Sequence, residues 1–94
     1  MGISITRLQY YDEWFAGLRG KQKSQVERRL MRLENDEHFG AIRNLDDGLF
    51  ELKFNDGTRV YFVRTGPKEI MLIMGGNKNG QSKDIAKAKS VLHR

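Results

Sequence analysis

Apolar residues in this 94-residue chain recur first at helical spacing and then, past residue 40, at every second position. Ile3 to Thr6 alternates and predicts a short opening strand. Tyr11, Trp14, Phe15 and Leu18 fall at i, i+3, i+4 and i+7, one face of a helix. Asp12 and Glu13 sit early in it, where carboxylates suit the positive end of the helix dipole. Gly17 and Gly20 place a tight turn at its end. Residues 21–34 repeat the helical pattern through Val26, Leu30 and Leu33, so the two helices should form an antiparallel hairpin.

Beyond residue 40 the pattern is that of a sheet. Ala41 to Leu45 alternates loosely before the turn Asp46–Asp47–Gly48. Phe50, Leu52 and Phe54 alternate with Glu51 and Lys53, and Asn55–Asp56–Gly57 predicts a hairpin. Val60 and Phe62 continue the core face on the returning strand, leaving Arg59, Tyr61 and Val63 on the other. Gly66–Pro67 turns the chain into the apolar run from Ile70 to Met74, expected at the centre of the sheet and stopped by Gly75–Gly76. Ile85, Ala88 and Leu92 mark a last helix over residues 82–92. The expected fold is a single α+β domain over residues 1–94. An N-terminal strand and helix hairpin pack on an antiparallel β-meander, and a C-terminal helix follows.

Composition narrows the function classes. The hydrophobic fraction is 38% and the charged fraction 31%, yet the apolar residues come in blocks, as in a folded domain. No cysteine is present, which excludes disulfides, thiolate metal sites and a cysteine nucleophile. His38 and His93 are too few for a histidine-rich metal site. No membrane span and no signal peptide is expected, so the reading is a soluble cytoplasmic protein. Seventeen Lys and Arg against twelve Asp and Glu give a net charge of +5. The cations cluster in residues 19–34, with Arg28 and Arg32 among them, and in residues 76–94, with Lys78, Lys83, Lys87, Lys89 and Arg94. Such segregation suits a polyanion partner or an acidic protein, and equally two solvated helix faces.

No Gly-x-Ser-x-Gly turn, P-loop or dinucleotide fingerprint occurs. What remains is the polar face of the meander, where Glu51, Lys53, Arg59 and Tyr61 share one patch, with Arg64 just beyond and Lys78 in the following loop. Cations and a phenol there can grip a phosphate, and a carboxylate beside them can take the proton of an RNA 2′-hydroxyl. The same residues also suit plain cross-strand ion pairing, Glu51 with Arg59 or Lys53. Trp14, with Tyr10 and Tyr11, could stack bases or fill the core, and His93 could act in catalysis or lie on the surface.

At these residues the chain resembles the RelE/ParE superfamily of type II toxin–antitoxin systems, in particular its HigB-like branch of addiction module killer proteins. Four stretches carry the likeness: Tyr11–Asp12–Glu13–Trp14–Phe15–Ala16–Gly17–Leu18, Gly48–Leu49–Phe50–Glu51–Leu52–Lys53–Phe54, Arg59–Val60–Tyr61–Phe62, and the run from Gly75 to Ala88 with its Lys-polar-polar-Gln-x-x-Asp-Ile-x-x-Ala pattern. The resemblance implies a toxin neutralised by a cognate antitoxin, often a helix-turn-helix protein, and a ribosome-dependent, metal-independent endoribonuclease acting on mRNA through the 2′-hydroxyl. No cofactor or metal is implied. Lys53, Arg59 and Lys78 match positions that hold phosphate, with Glu51 and Tyr61 as candidate base and substrate contact. Arg64, Lys83, Arg28 and Arg32 are candidate RNA contacts. The last helix lacks the histidine or tyrosine that some relatives use as acid or base. A non-enzymatic ParE-like toxin that poisons DNA gyrase is the alternative.

Overall fold

The helical spacing of the first third becomes two helices, and the change of period becomes a sheet. The computed structural model describes residues 2–93, so Met1 and the expected cation Arg94 lie outside the described residues. β1 (Ser4–Arg7) leads into α1 (Gln9–Ala16) and α2 (Gly20–Asp36). β2 (Ile42–Asn44), β3 (Leu49–Lys53), β4 (Thr58–Gly66) and β5 (Glu69–Asn77) follow. A 3-10 turn (Lys78–Gly80) then runs into α3 (Gln81–Leu92). The five strands lie in the order β1-β5-β4-β3-β2, with β1 parallel to β5 and every other pair antiparallel. The architecture is the expected α+β class.

Helices cover both faces of this sheet. On one face Tyr11, Val26, Leu30 and Leu33 of the hairpin pack on Leu52, Val60, Phe62, Ile70 and Leu72. On the other, Ala88, Ile85 and Leu92 of α3 pack on Leu49, Tyr61, Val63, Ile73 and Met74. The helix α2 runs two residues past its expected end because no glycine is needed to stop it. Glu37 takes the left-handed conformation (φ 56°), and the amides of Glu37 and His38 bond back to the carbonyls of Leu33 and Arg32.

The strand β5 overruns the pair expected to stop it: Gly76 pairs with Arg59, and Gly75 with Val60. A bulge makes this possible. Tyr61 pairs with Met74 but Phe62 pairs with Leu72, leaving Ile73 as an extra residue. Ile73 and Met74 therefore both join the core beneath α3, and the alternation beyond them changes phase. Gly75 then faces the hairpin and Gly76 faces α3, and each glycine is closely covered. The Trp14 ring lies flat on Gly75, so close that a Cβ there would stand 2.3 Å from it. A Cβ on Gly76 would stand 2.1 Å from the Asp84 carboxylate.

Trp14 is thus a half-buried lid on β5 rather than an open base-stacking platform. Gly75→Ala is expected to destabilise the fold by about 1–3 kcal/mol through overpacking. Adding Trp14→Ala to that variant should cost much less than Trp14→Ala alone, a coupling that urea titration of the four proteins would measure.

Candidate functional site

The hairpin of β3 and β4 pairs Glu51 with Tyr61 and Lys53 with Arg59, so alternation sets all four on one face. That face was expected to be open, and α3 closes most of it. Glu51 and Tyr61 are both fully buried, so neither the expected base nor the expected substrate contact lies at a surface. Only 11% of the Arg59 side chain is exposed, whereas Lys53 at the strand end is open to solvent.

The buried carboxylate organises its surroundings. Glu51 Oε1 lies 3.3 Å from Nε of Arg43 on β2 and 3.9 Å from Nε of Arg59. Oε2 accepts a hydrogen bond from Gln81 Nε2, at the first residue of α3. Arg59 Nη1 donates to the carbonyls of Phe54 and Thr58, at 3.1 and 3.0 Å. Glu51 Oε1, Arg59 Nε and the Tyr61 hydroxyl are buried without an aligned hydrogen bond, so charge rather than geometry holds this part together. Burial pushes the Tyr61 phenol well above its ordinary value, and the neighbouring Glu51 and Asp84 charges push it further. Arg59 and Arg43 oppose that shift. Burial likewise raises the Asp84 carboxyl, against the pull of Lys87 and Lys83.

Three of the expected cations meet at one end of the sheet. Lys53 and Arg59 are register partners. The exposed Lys78 donates its amide to the Gly57 carbonyl at 2.8 Å and lays its stem against Gly57, the hairpin glycine at φ 96°. Lys53 also lines a groove of about 350 Å³ with Arg28, Arg29, Arg32 and His38, and no carboxylate lines it. Arg29 is a clamp: it donates to the carbonyls of Phe39, Lys53 and Ala41 at 2.7–2.8 Å, fastening α2 to the β2–β3 edge. Burial lowers its pKa, and the nearby Arg32 charge lowers it further.

The remaining expected residues lie elsewhere. Arg64 is not part of the meander patch. It faces the hairpin side of the sheet, its guanidinium 4.8 Å from the Phe39 ring centroid and 5.8 Å from that of Phe50. Residues 59 and 64 differ by an odd number, so alternation alone sets them on opposite faces. Lys83 is exposed on the first turn of α3. His93 lines a shallow pocket with Leu92, Val63 and Arg64, at the far end of β4 from Arg59. Arg43, Gln81 and Asp84 were missed as partners of the site. Gln81 and Asp84 were visible as fixed members of the pattern after β5, but which buried groups they face depends on how α3 docks.

Comparisons place this geometry among known proteins. An uncharacterized protein of Haemophilus influenzae is 35% identical over 92 residues, covering 95% of this chain and 92% of that protein. The two belong to one family. No family model matches the sequence. A free-state structure of a doubly substituted E. coli toxin RelE superposes with a TM-score of 0.71 over 94% of both chains, at 12% identity. The family fold is therefore the RelE fold. Among the described residues no helix is long and apolar enough to cross a membrane.

Two outcomes follow from the buried cluster. Arg59→Ala should destabilise the protein by about 3 kcal/mol, because it strips a charged partner from a buried carboxylate, whereas Lys53→Ala should change stability by about 0.5 kcal/mol or less. Denaturant melts would check both. In a 295 nm alkaline titration, the Tyr61 phenol should remain protonated well above pH 10, its ordinary value. A raised folded-state pKa means that the folded state holds its proton where the unfolded state releases it. Stability should therefore fall as pH rises above about 10, and Tyr61→Phe should reduce that loss.

Proposed function

We propose that this protein is the toxin of a type II toxin–antitoxin pair and that it cleaves mRNA on the ribosome. One observation carries the reading: Lys53, Arg59 and Lys78 converge at one end of the sheet. Neither lysine forms an ion pair among the described residues. A phosphodiester seated there meets cations from β3, β4 and the turn before α3. Attack of a 2′-hydroxyl on the adjacent phosphorus builds negative charge on the phosphate oxygens, and fixed cations at that point lower the barrier. The P–O5′ bond then breaks, leaving a 2′,3′-cyclic phosphate and a free 5′-hydroxyl.

Within this reading Glu51 is a positioning residue. It stands beside the Arg59 guanidinium, which the Phe54 and Thr58 carbonyls also hold, so that only 11% of that side chain reaches solvent. Tyr61, the register partner of Glu51, is buried in the same cluster. Arg28 and Arg32 extend the positive field along the groove that begins at Lys53, suited to further phosphates of the RNA or the ribosome. The likeness to a protein described as the toxin RelE supports the assignment, and a small helix-turn-helix antitoxin is the expected neutralising partner.

The decisive measurement is primer-extension mapping of mRNA on programmed ribosomes. Lys53→Ala is expected to slow cleavage by roughly a hundredfold, as loss of one charge-stabilising donor does, with its melting curve unchanged. Full cleavage by the folded variant would remove Lys53 from the site. Pulse-labelling after induction should show protein synthesis stopping first. DNA synthesis failing first would favour a gyrase poison instead.

A further inference from the structure

A second concavity lies on the opposite flank of α2 from the basic groove, and its chemistry is reversed. It encloses about 390 Å³ between β1, α1 and α2. Asp12, Glu27 and Glu34 line it against a single cation, Arg7. Its walls are Phe15, Leu30 and Met31, and Met31 is 55% exposed, unusual for a large apolar side chain. None of the three carboxylates forms an ion pair among the described residues. In a chain of net charge +5, this is a place where three carboxylates face one cation around an apolar hollow.

A third observation concerns Tyr11, which also lines the hollow. Its side chain is 1% exposed, and its hydroxyl lies beside Arg7, the hollow's own cation, without a fully aligned hydrogen bond. Burial pushes that phenol up to about 12, with the Arg7 charge drawing it back and the Asp12 and Glu27 charges adding to the rise. Arg7 is thus drawn toward the phenol, and it forms no ion pair with Asp12, Glu27 or Glu34 among the described residues. A second cation entering the hollow would find three carboxylates with no ion pair of their own among the described residues.

We propose that this hollow receives an arginine side chain carried on an apolar segment of a partner protein. The guanidinium bonds to Asp12, Glu27 and Glu34, and its stem and flanking apolar residues cover Leu30, Met31 and Phe15. Phe15 already accepts a cation on its ring, since Lys23 Nζ stands 5.0 Å from the centroid. A planar guanidinium suits paired carboxylates better than a point-charged ammonium does. Nucleic acid is disfavoured here, because its phosphates would face three carboxylates. The partner is the antitoxin insofar as the toxin reading holds.

The test is an NMR titration of the full-length protein, labelled at methionine methyls and backbone amides, with acetyl-Leu-Arg-Leu-amide as probe. Saturable shifts are expected at the Met31 methyl and at the Phe15 and Leu30 amides. The glutamate peptide acetyl-Leu-Glu-Leu-amide should give none. The double variant Asp12→Asn, Glu27→Gln changes only exposed side chains and should keep its melting temperature while weakening the arginine peptide at least tenfold. Equal responses to the two peptides, shifts confined to the Arg28–Arg32 groove, or undiminished binding by the double variant would each overturn the proposal. Growth arrest on induction separates this from the toxin reading. Arrest retained by the double variant supports a docking site distinct from the toxic machinery, and its loss from a folded variant would overturn that assignment. No arrest by the unaltered chain would count against the toxin reading alone.

Discussion

Much of this structure turns on one carboxylate that water does not reach. Glu51 sits in the middle strand of the β2–β3–β4 ribbon, beneath α3, and touches something from each neighbour: Arg43 on β2, Arg59 on β4 and Gln81 at the start of α3. An unpaired buried carboxylate costs several kcal/mol, so the arrangement is stable only when all of these elements are in place together. The same charge that orders the scaffold also fixes the guanidinium nearest the exposed lysines. Scaffold and candidate site are therefore one network.

A helix with two differently charged flanks divides the molecular surface. Along α2, Arg28 and Arg32 border the groove that begins at Lys53, while Glu27 and Glu34 border the hollow beside α1. Opposite signs on the flanks of one rigid helix let a polyanion and a protein segment occupy the molecule without competing for the same side chains. Arg29 keeps the positive flank in place. Its donors are committed to three backbone carbonyls, so it lends charge to the groove without being free to move.

The sequence made the elements legible where local periodicity decides them. Val26, Leu30 and Leu33 marked the buried face of α2, and Asn55–Asp56–Gly57 marked the hairpin, because helical spacing and positive φ are written in adjacent residues. That Glu51, Lys53, Arg59 and Tyr61 share one face was legible for the same reason, but not the register, which sets Glu51 opposite Tyr61 rather than opposite a cation. What could not be read was which face α3 covers, since Ile85, Ala88 and Leu92 show that the helix has an apolar side but not where it docks. Glu51 and Tyr61 were accordingly expected in the open. Arg64 is a different kind of miss, because its odd separation from Arg59 already sets it on the opposite face of the sheet. The β-bulge left no signal, because an apolar run from Ile70 to Met74 reads alike with or without an extra residue.

That bulge makes the strand a counting device. Residues before Ile73 and after it obey opposite parities, and the two glycines beyond it are closely covered, Gly75 by an indole and Gly76 by the Asp84 carboxylate. Loss of the extra residue can be absorbed, because without Ile73 the strand alternates simply, with Met74 still opposite Tyr61 and Leu72 still opposite Phe62. The ladder beyond it, Gly75 opposite Val60 and Gly76 opposite Arg59, would keep its register, so Lys78 and α3 would stay on their present side. Relatives sharing this architecture can therefore differ by one residue here, with the extra side chain beneath α3 present or absent, and keep the register of the strand beyond it.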